Sequence, residues 1–124
     1  MVDDEPPIVD LVRFVLQGAG HKVSEAYDGR EALKALGVEP VNDAVPLPDL
    51  IMLDIMMPVM DGLTVFRRIK DHPRTASVPI VILTAKSQTQ SLFQELSAEA
   101  FFQKPFNPGE LRTAVTKVLE SARR

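Results

Sequence analysis

The sequence predicts an α/β fold in which a parallel sheet is wound on both faces by helices, and three observations predict it. Short apolar runs alternate with stretches of helical period along the chain, the pattern of strand–helix–strand units. Two runs, Leu50-Ile51-Met52-Leu53 and Pro79 to Leu83 (PIVIL), do not alternate polar with apolar residues, as expected of strands buried on both faces. Carboxylate, hydroxyl and ammonium side chains stand directly after the runs, where open parallel sheets gather reactive groups.

In chain order, Met1-Val2 is a two-residue strand stub leading into Asp3-Asp4-Glu5. After Pro6-Pro7, Ile8, Leu11, Val12, Val15 and Leu16 fall at helical spacing, and Gly18 and Gly20 end that helix. Lys22 to Ala26 is a short strand candidate, and Asp28-Gly29 turns into a helix carrying Ala32, Leu33 and Leu36. Residues 37–49 hold Pro40, Pro46 and Pro48 without any period and read as a loop. Leu50 to Leu53 is the third strand, Met56 to Gly62 a loop, and Leu63 to Lys70 a helix with Val65, Phe66 and Ile69 on its apolar side. Pro79 to Leu83 is the fourth strand, Ser87 to Leu96 a weaker helix, and Ala100 to Gln103 the fifth strand. Pro108 to Ala122 closes the chain as an amphipathic helix, capped by Asn107, with Leu111, Val115, Val118 and Leu119 inward. The 124 residues make one domain, 1–124, with no internal repeat.

Composition excludes several functions. The chain has no cysteine, which removes disulfides, thiolate metal sites and a cysteine nucleophile. Its net charge is −3, with no basic cluster beyond Arg67, Arg68 and Lys70, so direct nucleic-acid binding is not expected. No apolar run approaches the length of a membrane span, and no signal segment precedes Asp3, so a cytoplasmic location is the expectation.

The strand ends bring Asp3, Asp4, Asp54, Thr84 and Lys104 to one small region. Two like charges roughly 4 Å apart repel by about 4 kcal/mol at an effective dielectric near 20, so three carboxylates need a cation. Oxygen ligands with water suit Mg²⁺, and Lys104 adds a second positive charge. The same constellation could receive a phosphoryl group on a carboxylate nucleophile, with Mg²⁺ and Lys104 neutralising its oxygens and Thr84 donating a hydrogen bond.

These residues carry a resemblance. Val-Asp-Asp-Glu-Pro at 2–6, Leu-Asp-Ile-Met-Met-Pro-Val-Met-Asp-Gly at 53–62, Leu-Thr-Ala at 83–85 and Lys-Pro-Phe at 104–106 resemble bacterial response-regulator receiver domains of the single-domain, chemotaxis-Y-like type. The resemblance covers essentially the whole chain. It implies a flavodoxin-like three-layer sandwich with a five-stranded parallel sheet in order 2-1-3-4-5, its first strand truncated here. It implies that Asp54 is phosphorylated by a histidine kinase or a histidine phosphotransfer protein. Asp4, Asp54 and the backbone carbonyl of Met56 would bind Mg²⁺ directly, with Asp3 acting through water. Thr84 and Lys104 would hold the phosphoryl oxygens, Ala85 would leave room for them, and the Lys104–Pro105 bond would be cis. Phe101 stands where the family carries an aromatic switch residue, which turns inward as Thr84 moves toward the phosphoryl group. The chain would then be a signalling switch rather than an enzyme with a separate substrate.

Each residue also has a plainer reading: Asp3-Asp4 as an acidic turn, Thr84 as a strand-end hydroxyl bonded to local backbone, Phe101 and Phe102 as core residues on alternate faces. Three departures from the family stand out: the two-residue stub ahead of Asp3, the long proline-bearing loop at 37–49, and the shortened stretch between Thr84 and Lys104. Rival readings are the receiver part of a longer transcription factor or hybrid kinase, a receiver that no longer takes phosphate, and an aspartyl phosphohydrolase. The phosphohydrolase wants a second acid two residues after Asp54, where Met56 stands.

Overall fold

In a computed structural model, the protein is described over residues 1–55, 57, 62–84, 100–104 and 106–122. Strands β1 (Ile51–Asp54), β2 (Ile80–Thr84) and β3 (Ala100–Gln103) form a parallel sheet in the order β1-β2-β3. Ile51 pairs with Ile80 and Asp54 with Leu83, while Val81 pairs with Ala100 and Thr84 with Gln103. Every residue of β1 and β2 is buried, as their unbroken apolar runs require.

The expected outer part of the sheet is reduced to single rungs. Val2 makes a parallel bridge to Leu53 on one side and to Ala26 on the other. Its amide donates to Met52 O at 2.8 Å and its carbonyl accepts from Asp54 N at 2.8 Å. On the far side, Asp3 N donates to Ala26 O and Ala26 N donates to Met1 O. Lys22 to Ala26 is therefore not a ladder strand: Ala26 forms a single bridge, and beside it the Met1 nitrogen donates to Ser24 O at 2.9 Å. The five-stranded order expected from the resemblance is present as three ladder strands beside two one-residue bridges.

Helices α1 (Pro6–Gly18), α2 (Gly29–Ala35), α3 (Gly62–Asp71) and α4 (Pro108–Ala122) cover the sheet. On one face Leu33, Leu36, Val65, Phe66 and Ile69 pack against Leu53, Ile80 and Ile82. On the other, Val12, Leu16, Leu111, Val115 and Leu119 pack against Met52, Val81 and Leu83. Helix α1 is rotated from its expected face: Val9, Val12 and Leu16 are buried, whereas Leu11 and Phe14 are exposed. Asp28 caps α2 by accepting from Glu31 N at 2.8 Å, and Asn107 caps α4 by accepting from Gly109 N and Glu110 N at 2.8 and 3.1 Å.

The proline-bearing loop is pinned rather than free. Gly37 adopts φ 71°, a left-handed conformation suited to glycine, and Val38 bridges Val41. Arg68 Nη1 donates to both Glu39 carboxylate oxygens at 2.8 and 2.6 Å, and Arg74 Nη1 donates to Asp43 O at 2.9 Å. The expected helix at Ser87–Leu96 lies outside the described residues.

Candidate functional site

Three chain segments converge beyond the carboxyl ends of the strands. Val2 fixes the first: its own backbone bonds to Met52 and Asp54 while its neighbours Met1 and Asp3 bond to Ala26, and it leads straight into Asp3 and Asp4. The second is the end of β1, where Asp54 is buried. The third pairs Thr84, buried at the end of β2, with Lys104 just after β3, and the Lys104 amide donates to Thr84 O at 2.9 Å.

Lys104 is the electrostatic hub. Its Nζ lies 2.7 Å from Asp3 Oδ2, 3.2 Å from Asp54 Oδ2 and 3.6 Å from Glu5 Oε1. Burial acts to lower its pKa, but the hydrogen bond and charge of Asp3, with the charge and hydrogen bond of Asp54, outweigh burial and raise it above the ordinary 10.5. Asp3 is spoken for at both oxygens, since Oδ1 accepts from Glu5 N at 2.9 Å. Asp4 differs: its Oδ1 is buried with no hydrogen-bond partner. Leaving such an oxygen unpaired is costly.

That orphaned oxygen belongs to a larger group. One carboxylate oxygen from each of Asp3, Asp4, Glu5 and Asp54 lies within 4.8 Å of the others. An all-oxygen, strongly negative set containing an unpaired buried carboxylate oxygen fits a hard divalent cation such as Mg²⁺. Sequence reasoning missed Glu5. The signal was its place directly after Asp3-Asp4, at a turn where its own amide bonds back to Asp3.

Ile55, directly after β1, lies against the first residue of α3. Gly62 N donates to Ile55 O at 3.1 Å. A Cβ at Gly62 would collide with Ile55 Cα and stand 2.5 Å from Asp54 O, so only glycine fits under the strand end. Phe101 is half-buried and packs against the core on the α2 and α3 side, while Phe102 packs on the opposite face. Of the expected site residues, Asp3, Asp54, Thr84 and Lys104 come together with Asp4. Met56, Ala85 and the Lys104–Pro105 bond lie outside the described residues.

The fold and this acidic site define an α/β domain with a cation-fitting pocket at the carboxyl ends of its parallel strands. The chain matches the response regulator receiver domain family over residues 1–116 and belongs to it. It is 40% identical over 121 residues to the DNA-binding dual master transcriptional regulator RpaA of Synechocystis, covering 96% of this chain and 47% of that protein. It is 38% identical over 121 residues to the alkaline phosphatase synthesis transcriptional regulatory protein PhoP of Bacillus subtilis, with the same coverage. The chain thus spans about half the length of these relatives. Among solved structures it resembles a putative response regulator from Chloroflexus aurantiacus, with TM-score 0.82, 34% identity and coverage of 96% and 93% of the two chains. It also resembles the chemotaxis response regulator CheY4 of Vibrio cholerae, with TM-score 0.77, 31% identity and coverage of 94% and 93%.

It is therefore a receiver domain of a two-component system, a class that pairs with histidine kinases and typically acts as a non-enzymatic phosphoacceptor. Its acidic cluster is typical of the receiver Mg²⁺ site. Among the described residues, no helix is long and apolar enough to cross a membrane.

Proposed function

We propose that Asp54 accepts a phosphoryl group from a histidine kinase or a histidine phosphotransfer protein and thereby switches the domain between two conformations. The observation that carries this reading is the Lys104 ammonium held against both Asp3 and Asp54, beside the unpaired Asp4 oxygen. A carboxylate oxygen of Asp54 attacks phosphorus and the P–N bond of the donor phosphohistidine breaks. The imidazole leaves with that electron pair and takes up a proton, and Asp54 becomes an acyl phosphate. Lys104, already aimed at Asp54, follows the negative charge onto the phosphoryl oxygens. Thr84, buried beside it, donates its hydroxyl to another of them.

In this reading Asp4 and Asp54 would hold Mg²⁺ directly, with the Met56 carbonyl expected to join them, and Asp3 would act through water. The division is the one the family resemblance implies, and it is supported by Asp3 having both oxygens engaged while Asp4 keeps one unpaired. Bound there, Mg²⁺ supplies neutralisation of the phosphoryl oxygens. As Thr84 moves toward the phosphoryl group, the half-buried Phe101 ring fills the space behind it; Phe101 lies one strand over, paired with Ile82. The domain performs no turnover on a separate substrate beyond taking up and slowly losing its own phosphoryl group, and we place it in the cytoplasm.

Acetyl phosphate with Mg²⁺ should give one phosphoryl adduct by intact mass, absent in Asp54→Asn. Equal adduct in that variant would refute the assignment. A second reading makes this chain the receiver portion of a longer transcriptional regulator, favoured by its coverage of only 47% of RpaA and PhoP. The native reading frame on either side of these residues tests it.

A further inference from the structure

We propose that Glu5 is a positioning residue that sets the charge balance at the mouth of the acidic site, tightening its hold on Mg²⁺ while slowing anionic phosphodonors. The inference rests on Asp54 being the phosphoacceptor and adds a regulator of that same site. Glu5 precedes α1 as its N-cap residue, yet its side chain makes no capping bond. Helix capping therefore does not explain where the carboxylate lies. Instead the chain turns on the bond from Glu5 N to Asp3 Oδ1, and the carboxylate comes back over the cluster. There it lies within 4.8 Å of oxygens of Asp3, Asp4 and Asp54, and 3.6 Å from Lys104 Nζ.

Its side chain is 57% exposed, whereas those of Asp3 and Asp54 are 0% and 2% exposed. Glu5 is thus the rim of the site and its solvent-facing charge. With it, among the described residues, four carboxylates gather beside the Lys104 ammonium. A fixed negative charge at the rim acts on both ligands of the site with opposite sign. It attracts a divalent cation and repels the phosphoryl oxygens of an incoming donor. Because the position is solvent-exposed and screened, the effects are modest.

The test measures both ligands in the same variants. Mg²⁺ is titrated by calorimetry, and the rate of Asp54 phosphorylation by acetyl phosphate is followed by intact mass at saturating Mg²⁺. Glu5→Gln should raise the Mg²⁺ dissociation constant roughly three- to ten-fold and raise the phosphorylation rate roughly two- to five-fold. Glu5→Asp, which keeps the charge on a shorter arm, should fall between. Glu120→Gln, an exposed charge removed from α4, should change neither. Opposed shifts in the two readouts separate this role from structural damage, which would weaken both. An unchanged Mg²⁺ constant, or both readouts falling together, overturns the role of Glu5 while the wild-type adduct on Asp54 stands. A wild type that binds Mg²⁺ but takes no phosphoryl group on Asp54 overturns the phosphoacceptor reading, and the role of Glu5 with it.

Discussion

Replacing Lys104 by methionine keeps a long apolar stem and removes the ammonium that touches Asp3, Glu5 and Asp54. The contacts to Asp3 and Asp54 are 2.7 and 3.2 Å. Each attracts by about 5–6 kcal/mol at an effective dielectric of about 20. Desolvation of the ammonium opposes that gain, and the Lys104 side chain is 17% exposed, so water screens part of it. Removing one partner of a largely buried pair leaves the other charges uncompensated, and the net loss for Lys104→Met should be about 2–4 kcal/mol in metal-free buffer at neutral pH. Urea unfolding followed by circular dichroism measures it. Mg²⁺ should stabilise the variant more than the wild type, because a more negative cluster binds the cation more tightly and stabilisation grows with that affinity. The gap should also depend on pH in one direction. The folded-state pKa of Lys104 is raised above 10.5, so its contribution is full below that value and is lost as pH rises through the folded pKa. The two stability curves should therefore converge in strong alkali. A metal-free difference under about 0.5 kcal/mol, with equal Mg²⁺ stabilisation of both proteins, would show that Lys104 does not hold the carboxylates together.

Asp4→Ala should weaken Mg²⁺ binding by calorimetry more than Asp3→Ala, since Asp3 has both oxygens engaged and Asp4 does not; the reverse order would exchange their roles. Gly62→Ala should destabilise the domain by about 1–3 kcal/mol in denaturant titration and lower the yield of the Asp54 adduct. Its Cβ meets the backbone of Asp54 and Ile55 rather than a movable side chain. The Met1 ammonium, bonded to Ser24 O, has its pKa pulled by burial from 8.0 to about 6. Unfolding stability should therefore rise as pH goes from about 6 to 8, because the unfolded chain binds more protons there. Joining four apolar residues ahead of Met1 should abolish that rise. The same extension should also raise the melting temperature, through added rungs beside Val2 and burial of about 1.5–3 kcal/mol per residue; an unchanged melting temperature would count against it.

The parts of the fold that could be read from the sequence are those whose signal is local. The unbroken apolar runs at Ile51–Leu53 and Ile80–Leu83 are buried on both faces. Asn107 and Asp28 cap helices because a short polar side chain before a helical period has one favourable use. What could not be read depends on pairing. The short run from Lys22 to Ala26 cannot show that its pairing is confined to one bridge at Ala26 and one further bond at Ser24 O. The apolar period of α1 does not fix its face, since Leu11 fits the period yet is exposed while Val9 is buried. At the site, the sequence places Asp54, Thr84 and Lys104 at strand ends, and there they stand: Asp54 and Thr84 close β1 and β2, and Lys104 directly follows β3. Glu5 was not legible, because its return over the cluster depends on a backbone bond to Asp3. The clamps of the proline-bearing loop, from Arg68 to Glu39 and from Arg74 to Asp43, join residues about thirty positions apart and leave no periodic trace.

The bond from the Lys104 amide to the Thr84 carbonyl makes the hydroxyl-bearing and ammonium-bearing residues of the site a single rung. Neither backbone can slide along its strand without stretching that bond, so an engineer cannot retune one without disturbing the other. The same link makes one proton an observer of the whole pocket. The chain has six lysines, so a spectrum of lysine-labelled protein is sparse. In it the Lys104 amide resonance would register, through one bond, any displacement of Thr84 and, through its own side chain, any change of charge on Asp54.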